Sequence, residues 1–248
     1  MINELDLEKL KNQFHSADPF DHVVIDDFWK EDIAEQLYRD FPDYDDNQIW
    51  GAYYNNRIEN KKTCNHWDKF PKTTYQAFRF LASEQFQTKL RFITDEQDLN
   101  LDIGLHGGGW HAHTKGGNLN IHLDYNVHPK LDLQRKLNII IYLSKDWNYG
   151  GGLELWTHDP ETNQPKAQAT VVDIKFNRAV IFDTTQNSWH GLPYPIQCPQ
   201  GAVRKSMAAY YLKTKPSQTE DRPRALFAPR PDQVNDQEIA ELIKRRSR

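Results

Sequence analysis

Apolar residues along this chain follow two rhythms, and the change falls near residue 101. Before that point the spacing is mostly helical. Leu7, Leu10 and Phe14 share one stripe and predict a helix over residues 5–14. Residues 30–41 predict a second helix, ended by Pro42. Residues 71–90 predict a third, with Phe78, Leu81, Phe86 and Leu90 buried. Residues 19–28 read as a strand entering a turn, and 43–68 as polar, aromatic and irregular. Beyond residue 101, short β-patterned runs recur at 101–105, 119–125, 137–143, 152–156, 170–174, 179–182 and 205–212. Turn clusters separate them, which predicts an antiparallel sandwich or jelly roll. A helical flank before such a core is an α+β plan. Residues 213–230 carry Pro216, Pro223 and Pro229 and predict a tail over the surface, and 232–245 predict a closing helix.

The 248 residues suffice for one substantial core. The expected organisation is a single domain over 1–248: helical flank and entry strands at 1–100, β core at 101–213, tail and C-terminal helix at 214–248. No apolar run reaches the ~18 residues of a membrane-spanning helix, so no membrane partner is expected. The first ten residues are amphipathic and acidic, unlike a signal peptide. Cys64 and Cys198 are the two cysteines, too few for a disulfide framework, and a reducing cytoplasmic location is expected. The net charge of -4 lacks the basic surplus of a general nucleic-acid binder. The basic end, from Lys244 to Arg248, suits a helix C-terminus.

The informative chemistry lies in His122-Leu123-Asp124 and the later His190-Gly191. Side chains two apart on a strand project to one side, with Cα atoms ~7 Å apart. His122 and Asp124 can therefore converge on one ion, and a third ligand must come from another strand. His190 follows the buried-strand pattern Val180-Ile181-Phe182 and a turn-rich stretch. Two imidazoles and a carboxylate on one side of a divalent metal leave the other side open, as in non-haem Fe(II) oxygenases.

The run Gln134 to Trp147 leads into Gly150-Gly151-Gly152-Leu153-Glu154-Leu155, and Arg204-Lys205-Ser206 follows His190-Gly191. In that order these motifs resemble the prolyl-4-hydroxylase-like branch of the 2-oxoglutarate- and Fe(II)-dependent dioxygenases, over about residues 19–213. The resemblance implies a double-stranded β-helix, the jelly roll of cupins. It implies iron on His122, Asp124 and His190, and the distal carboxylate of 2-oxoglutarate on Arg204. Ser206, Tyr142 and Asn138 are expected in the same pocket. The implied activity is hydroxylation of an unactivated C–H bond with O2, releasing succinate and CO2, with ascorbate as a candidate reductant. A prolyl residue of a peptide is the family-level substrate; a free amino acid or a sugar-type small molecule is the alternative. Many animal and plant prolyl hydroxylases carry lysine where Arg204 stands here.

Other residues admit plainer readings. His111 and His113 form a competing H-x-H pair, and His106 and His128 flank the site. Gly107-Gly108-Gly109 suggests a mobile lid and Gly150 to Gly152 a tight turn. Trp110 and Tyr125 are candidate substrate contacts, although Tyr125 should point away from the metal on a regular strand. A non-oxidative jelly roll, either a metal-dependent isomerase or a carbohydrate-binding module using Trp110, Trp156, Tyr53 and Tyr54, is the rival class. Zinc hydrolysis lacks an H-E-x-x-H motif or a cysteine cluster.

Overall fold

The computed structural model describes residues 1–184, 187–219 and 221–247. The N-terminal part holds α1 (Leu7–His15), β1 (His22–Ile25), α2 (Glu31–Asp40), β2 (Ala52–Asn55), β3 (Glu59–Cys64), α3 (Lys72–Leu81), α4 (Glu84–Thr94) and β4 (Asn100–Leu101). The remainder holds β5 (Gly109–His113), β6 (Asn118–Leu123), β7 (Leu133–Tyr142), β8 (Leu153–Asp159), β9 (Gln164–Val172), β10 (Ala179–Asp183), β11 (Trp189–Leu192), β12 (Arg204–Thr214), β13 (Leu226–Phe227) and α5 (Gln237–Arg246).

All the strand pairs are antiparallel, in the order β1-β10-β7-β12-β5-β3-β6-β11-β8-β9. The sheet curls almost into a barrel, the jelly roll expected from the strand rhythm. β3 joins its two halves: Lys62 to Cys64 pair with β5, whereas Glu59 and Asn60 pair with β6. Helices α1 to α4 cover the β7–β12 half, where Phe14, Phe28, Trp29, Phe78, Phe86, Ile139, Ile141 and Met207 share one core, whereas α5 packs against β13 through Ile239.

Several expectations need correction. Residues 71–90 form two helices, because the Ser83 hydroxyl caps the N-terminus of α4 by accepting from the Phe86 N–H. The four apolar residues are buried all the same. The segment 43–68 is not irregular throughout: it supplies β2 and β3. Its pattern hid the strand because Glu59 and Lys62 are buried charges. The 101–105 strand stops at Leu101, where the Asp102 carboxylate accepts from the N–H groups of Gly104 and His106 and turns the chain. The 170–174 strand is the end of a longer one, β9. The tail contributes a strand of its own, β13, paired with β6.

The glycine triplet is not a lid. A Cβ on Gly109, whose φ is +92°, would lie 2.0 Å from the Cys64 carbonyl oxygen; one on Gly108 would lie 2.7 Å from that of Ala208. The glycines let β5 wedge between β3 and β12. Trp110 is likewise no substrate contact. It is 1% exposed, with its ring centroid 4.9 Å from Phe70 and 5.7 Å from Phe41.

Candidate metal centre

His122 lies on β6 directly across from His190 on β11. The cross-strand register thus delivers the third group that residues two apart cannot supply. Asp124 lies one residue beyond the end of β6. One ligand atom from each residue falls within 4.8 Å of the others, and all three residues are buried. Asp124 Oδ1 is 3.7 Å from His122 Nε2, and its Oδ2 is 3.7 Å from His190 Nε2.

Backbone carbonyls fix both imidazoles. His122 Nδ1 donates to Asn120 O at 2.9 Å, and His190 Nδ1 donates to Ser188 O at 2.7 Å. That tautomer turns each Nε2 lone pair toward the carboxylate, the orientation a metal requires. Burial, then the neighbouring His122, pulls His190 down to about 4, so its ring is neutral at neutral pH. Burial pushes the Asp124 carboxyl up. The Arg135 guanidinium, 3.3 Å from Oδ1, and both imidazoles outweigh that and hold it ionised well below the usual range. Asp124 Oδ2 is buried without a hydrogen bond. Two oriented imidazoles and an unsatisfied carboxylate oxygen fit a divalent ion of the Fe(II) class.

The site opens into a cavity of about 540 Å³. Arg204 enters from the first position of β12 and is 3% exposed. Its Nε donates to the Gly151 carbonyl at 2.9 Å, and its Nη1 lies 3.5 Å from His113 Nδ1. No carboxylate pairs with it among the described residues, and burial pulls its guanidinium below the usual value. A buried unpaired cation is costly, so this wall is built to receive an anion. Tyr142 packs beside it, with the Arg204 Cζ 5.1 Å from the ring, and its hydroxyl completes no hydrogen bond. Ser206 pairs across the sheet with Tyr142 on one side and His111 on the other. Asn138 lines the cavity with a buried, unpaired Oδ1. The structure therefore brings together all seven residues expected from the sequence, although Tyr142 reaches the cavity only through Arg204.

The H-x-H pair lines the Arg204 side of the cavity and is not part of the metal-binding cluster. His113 Nε2 is buried without a partner. Tyr125 does not point away: the strand ends at Leu123, and Tyr125 joins the cavity wall, its hydroxyl donating to the His106 carbonyl at 3.2 Å.

Sequence reasoning missed several residues. Arg135 is clamped between the rings of Tyr125 and Tyr210, its Cζ 3.3 and 3.4 Å from their centroids, while Nη2 donates to His106 O. It braces the Asp124 carboxylate, yet an arginine opening a strand carries no distinguishing local pattern. Phe227, opposite His122 in the β13–β6 pairing, stacks on its ring at 5.3 Å, and Arg222 Nη2 donates to the Asp124 carbonyl. The apolar run Ala225-Leu226-Phe227 between prolines was the one available hint. Glu59, Lys61 and Arg246 also line the cavity.

Residues 108–212 match the family described as the 2OG-Fe(II) oxygenase superfamily. No curated protein matches the sequence. Among solved structures, a prolyl hydroxylase from Trichoplax adhaerens, in complex with a hypoxia-inducible-factor peptide fragment, aligns with a TM-score of 0.57 at 16% identity, covering 84% of this chain and 89% of that one. A prolyl-4-hydroxylase from Pseudomonas putida gives 0.54 at 15% identity, over 85% and 100%. The non-heme alpha-ketoglutarate-dependent carbocyclase SnoK from nogalamycin biosynthesis gives 0.58 at 14% identity, over 96% and 91%. Residues 108–212, which carry the site, are thus similar to the 2OG-Fe(II) oxygenase superfamily, and the double-stranded β-helix is shared with prolyl hydroxylases and with an enzyme of small-molecule biosynthesis. No helix among the described residues is long and apolar enough to cross a membrane.

Proposed function

We propose that this protein is an Fe(II)- and 2-oxoglutarate-dependent dioxygenase that hydroxylates an unactivated C–H bond. What supports the reading is one cavity lined by two complementary groups. Three convergent metal-ligand atoms form one, and a buried guanidinium with no carboxylate partner among the described residues forms the other.

His122, Asp124 and His190 hold the metal, and Arg204 receives the distal carboxylate of 2-oxoglutarate through its planar fork. The Ser206 hydroxyl adds a donor on that wall, Tyr142 backs Arg204 from behind it, and Asn138 also lines the cavity. Bound Fe(II) with 2-oxoglutarate and O2 supplies the oxidising power for C–H hydroxylation, with release of succinate and CO2. The chain's own part is to orient these groups and to exclude water. The carbonyls of Asn120 and Ser188 fix the imidazoles, Arg135 fixes the carboxylate, and Phe227 covers the His122 ring.

The prolyl hydroxylases among the structural neighbours make a prolyl residue one substrate class, and the carbocyclase makes a small molecule the other. The rival reading as a carbohydrate-binding module loses its main aromatic platform, because Trp110 is core. Purified protein given Fe(II), ascorbate and 2-oxoglutarate in air should form succinate even without substrate, and more with it. Iron bound and no succinate formed would sink the proposal.

A further inference from the structure

The cavity carries more charge than the groups assigned above to metal and cosubstrate. Five cationic side chains line the cavity, Lys61, Arg135, Arg204, Arg224 and Arg246, against two carboxylates, Glu59 and Asp124. Arg135 is matched by Asp124. Arg204 faces the place assigned above to the cosubstrate. A divalent ion and the 2-oxoglutarate dianion cancel each other, so the excess of positive charge persists when both are bound.

The remaining excess gathers around Glu59 and reaches solvent at the cavity mouth through Arg224 and the part-exposed Arg246. Lys61 Nζ is 3.2 Å from one oxygen of Glu59, and Arg246 pairs with the other. One carboxylate thus serves two cations. The Glu59 side chain is 6% exposed and that of Lys61 12%, so water screens this cluster poorly. The Tyr54 ring packs against both cations, 5.6 Å from Lys61 Nζ and 5.2 Å from Arg246 Cζ. Arg224, beside them on the tail, is exposed and donates to the Arg245 carbonyl at 3.4 Å. Tying the tail to β3 requires Arg246 and Glu59 alone. It does not explain a second cation, Lys61, on the cavity wall.

On the oxygenase reading above, we infer that the substrate is anionic: a carboxylate or phosphate group of a small molecule docks between Lys61, Arg246 and Arg224 while its C–H bond reaches toward the metal. A neutral prolyl segment would leave this surplus unanswered.

The test uses the whole protein loaded anaerobically with Fe(II) and 2-oxoglutarate, whose visible charge-transfer absorption reports the assembled centre. Matched probes are titrated in: N-acetyl-L-proline against N-acetyl-L-prolinamide, and glucose 6-phosphate against glucose. The charged member of at least one pair should bind about tenfold or more tightly than its neutral twin. The pair that discriminates identifies carboxylate or phosphate as the group. Lys61→Met should shrink that preference and Glu59→Gln should enlarge it, opposite shifts that simple destabilisation does not produce. Equal binding within both pairs, or no binding of either anion at about 10 mM, with the absorption intact, overturns the inference alone. Absence of the absorption in protein shown to hold iron overturns the oxygenase reading, and this inference with it.

Discussion

The inner end of the cavity and its mouth are built by different means. At the inner end, His122, His190, Arg204 and Ser206 stand on paired strands and Asp124 just beyond one, with backbone carbonyls orienting three of their side chains: Asn120 and Ser188 for the imidazoles, Gly151 for the guanidinium. At the mouth, Glu59, Lys61, Arg224 and Arg246 come from a short strand and from the tail, and they are held mostly by one another. Paired strands and backbone hydrogen bonds hold the inner groups in fixed directions, so substitution there should remove function. The mouth rests on exchangeable side chains, so it can change what it admits without disturbing the metal ligands.

The largest effect is expected from Asp124→Ala, which removes the anionic ligand and leaves Arg135 a buried cation without its carboxylate. Iron affinity should fall by more than about 100-fold, measured by equilibrium dialysis, and succinate formation should vanish. Retained iron binding would move the metal elsewhere. Arg204→Ala should raise the 2-oxoglutarate requirement on the order of 100-fold, the scale of a truncated buried charge pair at 2–5 kcal/mol, with iron affinity little changed. An unaltered requirement would show that the cosubstrate carboxylate binds elsewhere. Phe227→Ala should lower unfolding stability by about 3 kcal/mol and weaken iron binding more mildly than Asp124→Ala. If iron binding is untouched, the tail belongs to the mouth alone.

The smallest expected effect is on pH dependence without metal. Burial first, with nearby cations for His111 and His113 and the His122 imidazole for His190, holds these three below the ordinary 6.5: His111 at about 3, His190 at about 4 and His113 well down. The unfolded chain takes up protons that the folded chain refuses. Stability from these groups is complete above pH 6.5 and is lost as pH falls from there toward about 4. A melting temperature of the metal-free protein that stays level across that window would contradict it.

The same contrast explains what the sequence disclosed. His122 and Asp124 were legible because a strand's period of two converts spacing into direction, and His190, Arg204 and Ser206 followed from their order along the chain. Tyr142 came from the family resemblance, and Asn138 from sharing its strand face. The β rhythm was legible wherever apolar residues alternate. It failed at β3, where the charged Glu59 and Lys62 are buried on opposite faces, and at β5, where glycines serve close packing. Arg135 and the cluster of Glu59, Lys61 and Arg246 were invisible, because contacts between distant segments have no local period.

One strand has a mechanical consequence. β3 hydrogen-bonds to β5 with its second half and to β6 with its first, and Lys61 lies at the point where it passes from one to the other. A ligand that grips Lys61 pulls on both halves of the barrel together. Amide hydrogens flanking the seam, at Ala112 and at Leu119, should then slow their exchange in concert, so that occupancy of the mouth is felt as stiffness across the whole sheet.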